Sequence, residues 1–112
     1  MDCLFCKIVA GDIPSEKLYE DDDVIAFRDI NAQAPLHLLV VPRKHLASLD
    51  EAGVDDGELL GKILLVARRL AEDNGAAGGY RVVNNCGASA GQSVFHIHFH
   101  LLGGRSLGWP PG

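Results

Sequence analysis

Basic residues are scarce in this chain. Ten lysines and arginines stand against fifteen aspartates and glutamates, a formal charge of −5. It therefore lacks the basic face that captures a nucleic-acid backbone. A small nucleotide is not excluded, because the field inside one site need not follow the net charge. No stretch approaches the ~20 uninterrupted apolar residues of a membrane span. The N-terminus lacks the basic and apolar regions of an export signal, which makes the cytoplasm the expected compartment. Cysteine occurs three times, an odd number without such a signal, so a disulfide framework is not expected. Repeats, low-complexity tracts and linkers are also missing, while 47% of the residues are hydrophobic. What remains is one folded domain over residues 1–112, large enough to bury ~60–70% of its unfolded surface.

The apolar pattern then divides the chain. Leu4, Phe5, Ile8 and Val9 have helical spacing and predict a short N-terminal helix stopped at Gly11. Lys17–Glu20 and Val24–Arg28 flank Asp21-Asp22-Asp23 and read as a hairpin. Leu36–Val41 reads as a buried strand closed by Pro42. Asp55 and Glu58 suggest a capping box opening a long helix, whose inner face would be Leu59, Leu60, Ile63, Leu64, Ala67, Leu70 and Ala71. Asn74-Gly75 would end it. Tyr80–Asn84 and Val94–Leu102 complete the strands. The expected class is α+β, an antiparallel sheet of about five strands with one long helix and a short N-terminal one.

Three of the five histidines, His96, His98 and His100, alternate with Ile97, Phe99 and Leu101. Period two on a strand places the imidazoles on one face and the apolar side chains in a core. Neighbouring histidines would lie ~6.6 Å apart, and the outer pair ~13 Å, too far to share one metal ion easily. A row of this kind can supply a nucleophile, an acid or base, and a cationic donor. The stretch Asn85-Cys86-Gly87-Ala88-Ser89-Ala90-Gly91-Gln92-Ser93 enters it directly, and its small side chains leave backbone N–H groups to curl around an anion. Phosphorus chemistry on a histidine uses every member. A histidine-rich polar face and a metal enzyme are the rival readings. Cys3 and Cys6 have the Cys-x-x-Cys spacing of two thiolates on one metal, or are small buried hydrophobes on the first helix.

His96-Ile97-His98-Phe99-His100-Leu101-Leu102 resembles the His-φ-His-φ-His-φ-φ signature of the histidine triad family, φ being apolar. Phe27-Arg28-Asp29-Ile30, the run Ala34–His45 and the ending Leu102–Gly112 with its Trp-Pro-Pro-Gly terminus resemble the family's Hint branch more than its diadenosine polyphosphate hydrolases. The resemblance covers essentially the whole chain. It implies hydrolysis of nucleoside 5′-phosphoramidates through a nucleotidylated His98. One ring nitrogen of His98 must then face phosphorus while the other donates to a backbone carbonyl. Asn85, the backbone and hydroxyl of Ser93, the Gly91 and Gln92 amides and His100 would receive the phosphoryl oxygens. Asp29 would accept the ribose hydroxyls, and Phe5, Ile8, Ile13, Phe27 and Ile30 would line a purine pocket. His37 would stand behind the row and order its hydrogen bonds. Cys3, Cys6, His45 and His96 would hold a structural zinc. The resemblance also implies a homodimer in which the Trp109 segment approaches the partner's site. A nucleotide-binding or scaffolding module with little turnover, or a dinucleoside polyphosphate hydrolase, is the alternative, and Cys86 is given no role.

Overall fold

The computed structural model describes residues 3–112. A helix, α1 (Leu4–Val9), precedes the hairpin β1 (Lys17–Glu20) and β2 (Val24–Arg28). Next come β3 (Leu36–Pro42), the long helix α2 (Gly57–Asp73), β4 (Tyr80–Val83) and β5 (Phe99–Gly103). The five strands form one antiparallel sheet in the order β1-β2-β3-β5-β4. This is the α+β class expected.

Each face of the sheet has its own core. Val24, Ala26, Leu38, Val40, Ile97 and Leu101 pack with the inner face of α2. On the opposite face, Ile25, Phe27, Leu39 and Val41 pack with Cys3, Phe5 and Ile8 from the α1 region. Every residue of β3 is buried, which explains an apolar run broken only by His37. The long helix thus covers one face. The short helix covers only part of the other, and that leaves room for a cavity.

Three local expectations are corrected. Asp55 does not cap the long helix, because a 3₁₀ turn over Val54–Asp56 precedes it. Asp56 occupies the cap position, yet its carboxylate accepts the Gly53 N–H at 2.9 Å and Lys44 Nζ at 2.7 Å. It ties the preceding loop rather than capping the helix. Leu64 is exposed and Val66 is buried in its place, since the inner stripe runs through Ile63, Val66, Ala67, Leu70 and Ala71. The last strand begins at Phe99 rather than Val94. Phe99 pairs with Val40; beyond that rung lies Pro42, which has no N–H with which to continue a ladder. His96 and His98 therefore precede the strand, held by local bonds.

Candidate active site and metal cluster

Those bonds set the chemistry of the histidine row. The residues keep their alternation through the irregular segment, with Ile97 buried against α2 and the imidazoles on the other face. His98 Nδ1 lies 2.8 Å from the carbonyl oxygen of His96. A carbonyl only accepts, so Nδ1 carries a proton, and in the neutral tautomer that this bond selects, the lone pair is on Nε2. The Asn84 side chain donates from Nδ2 to the His98 carbonyl at 2.9 Å, holding the same residue by its main chain. Ile97 N–H donates to Leu46 O at 2.6 Å. Asn84 stood outside the residues singled out in the sequence; its signal is a polar side chain one step past the end of β4.

A second chain of bonds defines His100. The backbone N–H of Gln33 donates to His37 Nδ1 at 2.9 Å, so the His37 proton sits on Nε2. That Nε2 lies 2.9 Å from His100 Nδ1 and 3.3 Å from Asp29 Oδ2. His100 Nδ1 is thereby the acceptor, and its own proton is on Nε2. Burial pushes His100 down to about 4, with His98 and His37 adding to the effect and Asp29 opposing it. Burial lowers His37 as well, against the pull of Asp29. At neutral pH the last histidine is thus a neutral hydrogen-bond donor. The expectation of a cationic donor is corrected, because desolvation outweighs the one nearby carboxylate.

His98 and His100 open onto a cavity of about 380 Å³. Phe5, Ile8, Ile13, Phe27, Asp29, Ile30 and Ser93 all line it, so the sequence-derived pocket residues meet there. Phe5 and Phe27 pack edge to face at 5.4 Å, and Phe5 meets the His98 ring in the same way at 5.0 Å. Ile30 is fully exposed, placing it on the rim rather than in the wall. Asp29 Oδ1 accepts the Asn31 N–H at 2.9 Å, which orients the carboxylate. The cavity is mainly apolar with a few polar groups converging at one end, as in small-molecule sites. A wider depression of about 490 Å³ near Arg43, Lys44 and Lys62 is lined by paired charges and contains no nucleophile.

The glycine-rich loop departs from expectation. Gly91 N–H donates to Ala88 O at 3.0 Å and Gln92 N–H to Gly87 O at 3.1 Å. These amides close the loop on itself and are not available to an anion. The Gln92 side chain is equally committed, accepting from Gly87 N–H and donating to Ala47 O and Val94 O. Gly91 is needed for its φ of +99°, and a Cβ there would sit 3.8 Å from Asn85 Nδ2. Gly91 and Gln92 build the loop. Ser93 reaches the cavity, whereas Asn85, Gly91 and Gln92 do not line it.

The remaining imidazole of the row faces elsewhere. His96 is fully buried, and its Nε2–H donates to Pro42 O at 2.8 Å. Its Nδ1 lies 3.5 Å from Cys3 Sγ, 3.5 Å from Cys6 Sγ and 3.2 Å from His45 Nδ1. Cys6 Sγ is 3.3 Å from His45 Nδ1. Two nitrogens at ~2.0–2.1 Å and two sulfurs at ~2.3 Å from a tetrahedral ion would stand ~3.3–3.8 Å apart. The observed spacings fit that shell, and the four donors all fall within 4.8 Å of one another. Pro42 supplies the outer carbonyl that fixes a ligating imidazole. The Cys6 N–H donates to Cys3 Sγ at 3.3 Å, which orients that sulfur toward the cluster. None of the three cysteines is in a disulfide. The cluster could hold one four-coordinate metal ion with no open position.

Fold and site together define an α+β domain built for chemistry on a fixed histidine tautomer, beside a separate, closed Cys/His cluster. The chain belongs to the HIT family: residues 10–107 match the HIT domain. It is 50% identical over 111 residues to an uncharacterized HIT-like protein of Synechococcus elongatus, spanning 99% of this chain and 97% of the relative. A HIT family hydrolase from Legionella pneumophila Philadelphia 1 has the same fold with a TM-score of 0.98 and 52% identity, covering 99% of this chain and 100% of that one. A HIT family hydrolase from Clostridium thermocellum gives 0.93 and 47%, over 96% and 94% of the two chains. Among the described residues, no helix is long and apolar enough to cross a membrane.

Proposed function

We propose that this protein hydrolyses nucleoside 5′-phosphoramidates through a nucleotidyl-His98 intermediate, as a member of the Hint branch. The observation that carries the reading is the His98 Nδ1–H bond to its neighbour's carbonyl, 2.8 Å long, which leaves Nε2 as the free nucleophile. The purine would enter between Phe5, Phe27 and the Ile30 rim, and the ribose hydroxyls would reach Asp29. His98 Nε2 attacks phosphorus as the P–N bond breaks, and the departing nitrogen takes up one proton from solvent. The ring becomes cationic, and the His96 carbonyl stabilises its Nδ1–H. His100 offers its Nε2–H to a phosphoryl oxygen, with Ser93 as a further donor; one such donor is typically worth ~3–4 kcal/mol. Water then cleaves the Nε2–P bond, releasing the nucleotide and one proton and restoring neutral His98. No step uses the Cys/His cluster. The resemblance to the HIT family hydrolases of Legionella and Clostridium supports the reaction class.

The reading extends to a cofactor and a partner. We assign zinc to Cys3, Cys6, His45 and His96, since two thiolates with two imidazoles at these spacings suit it. Its role is structural, holding the α1 region to the sheet. A cytoplasmic location fits, because paired thiolates persist in a reducing compartment. A homodimer is supported by the exposed Leu64 and Leu65 on α2 and Tyr80 on edge strand β4, and by Trp109, 84% exposed in the single chain. Incubation with adenosine 5′-phosphoramidate, following nucleotide and ammonia, tests the activity. Tight nucleotide binding without release of ammonia would favour the binding-module alternative.

A further inference from the structure

We infer that metal occupancy of the Cys3–Cys6–His45–His96 cluster and nucleotide occupancy of the cavity are thermodynamically coupled, through the His96 peptide unit and the Phe5 ring. The inference rests on the nucleotide reading above and concerns how that site is regulated.

His96 serves both sites at once. Its Nδ1 belongs to the cluster and its Nε2–H is held by Pro42 O, while its carbonyl accepts the Nδ1–H of His98. The segment lies outside the ladder of β5, so no sheet bond fixes that carbonyl. Its position depends on the tethers of residues 96–98, and the pinned His96 ring is one of them. An ion on Nδ1 would immobilise the ring at both nitrogens, and with it the carbonyl that sets the nucleophile's tautomer.

Helix α1 makes the second link. It is six residues long, too short to hold its position without tertiary tethers. Cys3 at its N-cap and Cys6 within it face the cluster, whereas Phe5 and Ile8 face the cavity. The Phe5 ring lies edge-on to His98 at 5.0 Å and to His96 at 6.1 Å, touching both sites. A metal ion that anchors this helix orders the purine wall in advance, and a nucleotide then binds at a lower ordering cost. Linkage makes the effect reciprocal: bound nucleotide must raise metal affinity by the same factor.

The test uses the full chain in zinc-loaded and chelator-stripped forms. AMP affinity is measured by calorimetry in each form. Zinc affinity is measured by competition with a chromophoric chelator, with and without saturating AMP. Both ratios should agree and reach about five- to tenfold. Phe5→Leu keeps all four ligands, so it should retain one metal per chain while the coupling factor falls toward one. In protein loaded with cobalt(II), AMP should shift the visible bands of the thiolate-bound ion, a readout independent of turnover. Equal AMP affinity in two folded forms overturns the coupling alone. So does an unchanged cobalt spectrum under saturating AMP, which decides the matter if the stripped form unfolds. Failure of AMP to bind either form overturns the nucleotide reading and the coupling together.

Discussion

Protonating His100 should cost this protein stability long before most carboxylates titrate. The side chain is 19% exposed, and burial pushes it from the ordinary 6.5 down to about 4. Between those values the unfolded chain binds a proton that the native state refuses, so stability must fall as pH drops through the window. From pH 7 to pH 5 the linkage amounts to about 2 kcal/mol for this one group. His37 and His96 are also lowered, first by burial, and act in the same direction. The experiment is urea unfolding of wild type and His100→Gln at both pH values. Glutamine keeps a donor and an acceptor but does not titrate, so the variant should lose about 2 kcal/mol less than wild type over the interval. The contribution of His96, which has no bond to His100, largely cancels in that difference. Parallel losses, within about 0.5 kcal/mol, would refute both the depressed value and the neutral-donor role built on it.

Three further outcomes are expected. His98→Ala should abolish both turnover and the covalent nucleotide adduct seen by mass spectrometry, while AMP binding stays within about tenfold; residual turnover above ~1% would place the nucleophile elsewhere. Elemental analysis of protein purified without added metal should find about one zinc per chain, and Cys3→Ser combined with Cys6→Ser should remove it and lower Tm by at least several degrees. Deletion of 106–112 should alter kcat/KM and leaving-group preference, and Trp109 fluorescence should change when a nucleotide analogue binds; wild-type kinetics across several leaving groups would reduce the tail to packing.

Much of this site could be read from the order of residues, because the strongest signals were periodic. Alternation placed His96, His98 and His100 on one face, and it survives where the strand itself does not. The apolar residues Phe5, Ile8, Ile13 and Phe27 line one cavity, although they come from three separate segments and only resemblance connected them. What was hidden depended on groups that leave no pattern. The start of β5 follows from a missing N–H on Pro42, in a different strand. The duty of Asp56 is set by Gly53 and Lys44, and Asp56 beat Asp55 to the cap position by geometry alone. The Gly91 and Gln92 amides look free in a glycine-rich loop, yet that loop uses them to close itself. Protonation was the least legible property of all. His100 is neutral because of burial and its neighbours His98 and His37, and His37 is sixty-three positions away in the chain.

Three chemically identical side chains at strict period two thus come to hold three different assignments. Periodicity supplies only a shared face; the partner of each second ring nitrogen supplies the role. His96 gives its Nε2–H to Pro42 O, which turns Nδ1 toward sulfur and nitrogen donors. His98 gives its Nδ1–H to His96 O, which turns the lone pair of Nε2 toward the cavity. His100 accepts at Nδ1 from His37, which turns a proton outward instead. In the proposed reading, ligand, nucleophile and donor are therefore separated by one hydrogen bond each. Exchanging any of the three partners should change the role of a histidine without touching it. Pro42 and His96 offer main-chain carbonyls, which no side-chain substitution removes. The one partner open to direct replacement is His37, so the third histidine is where this arrangement is easiest to retune.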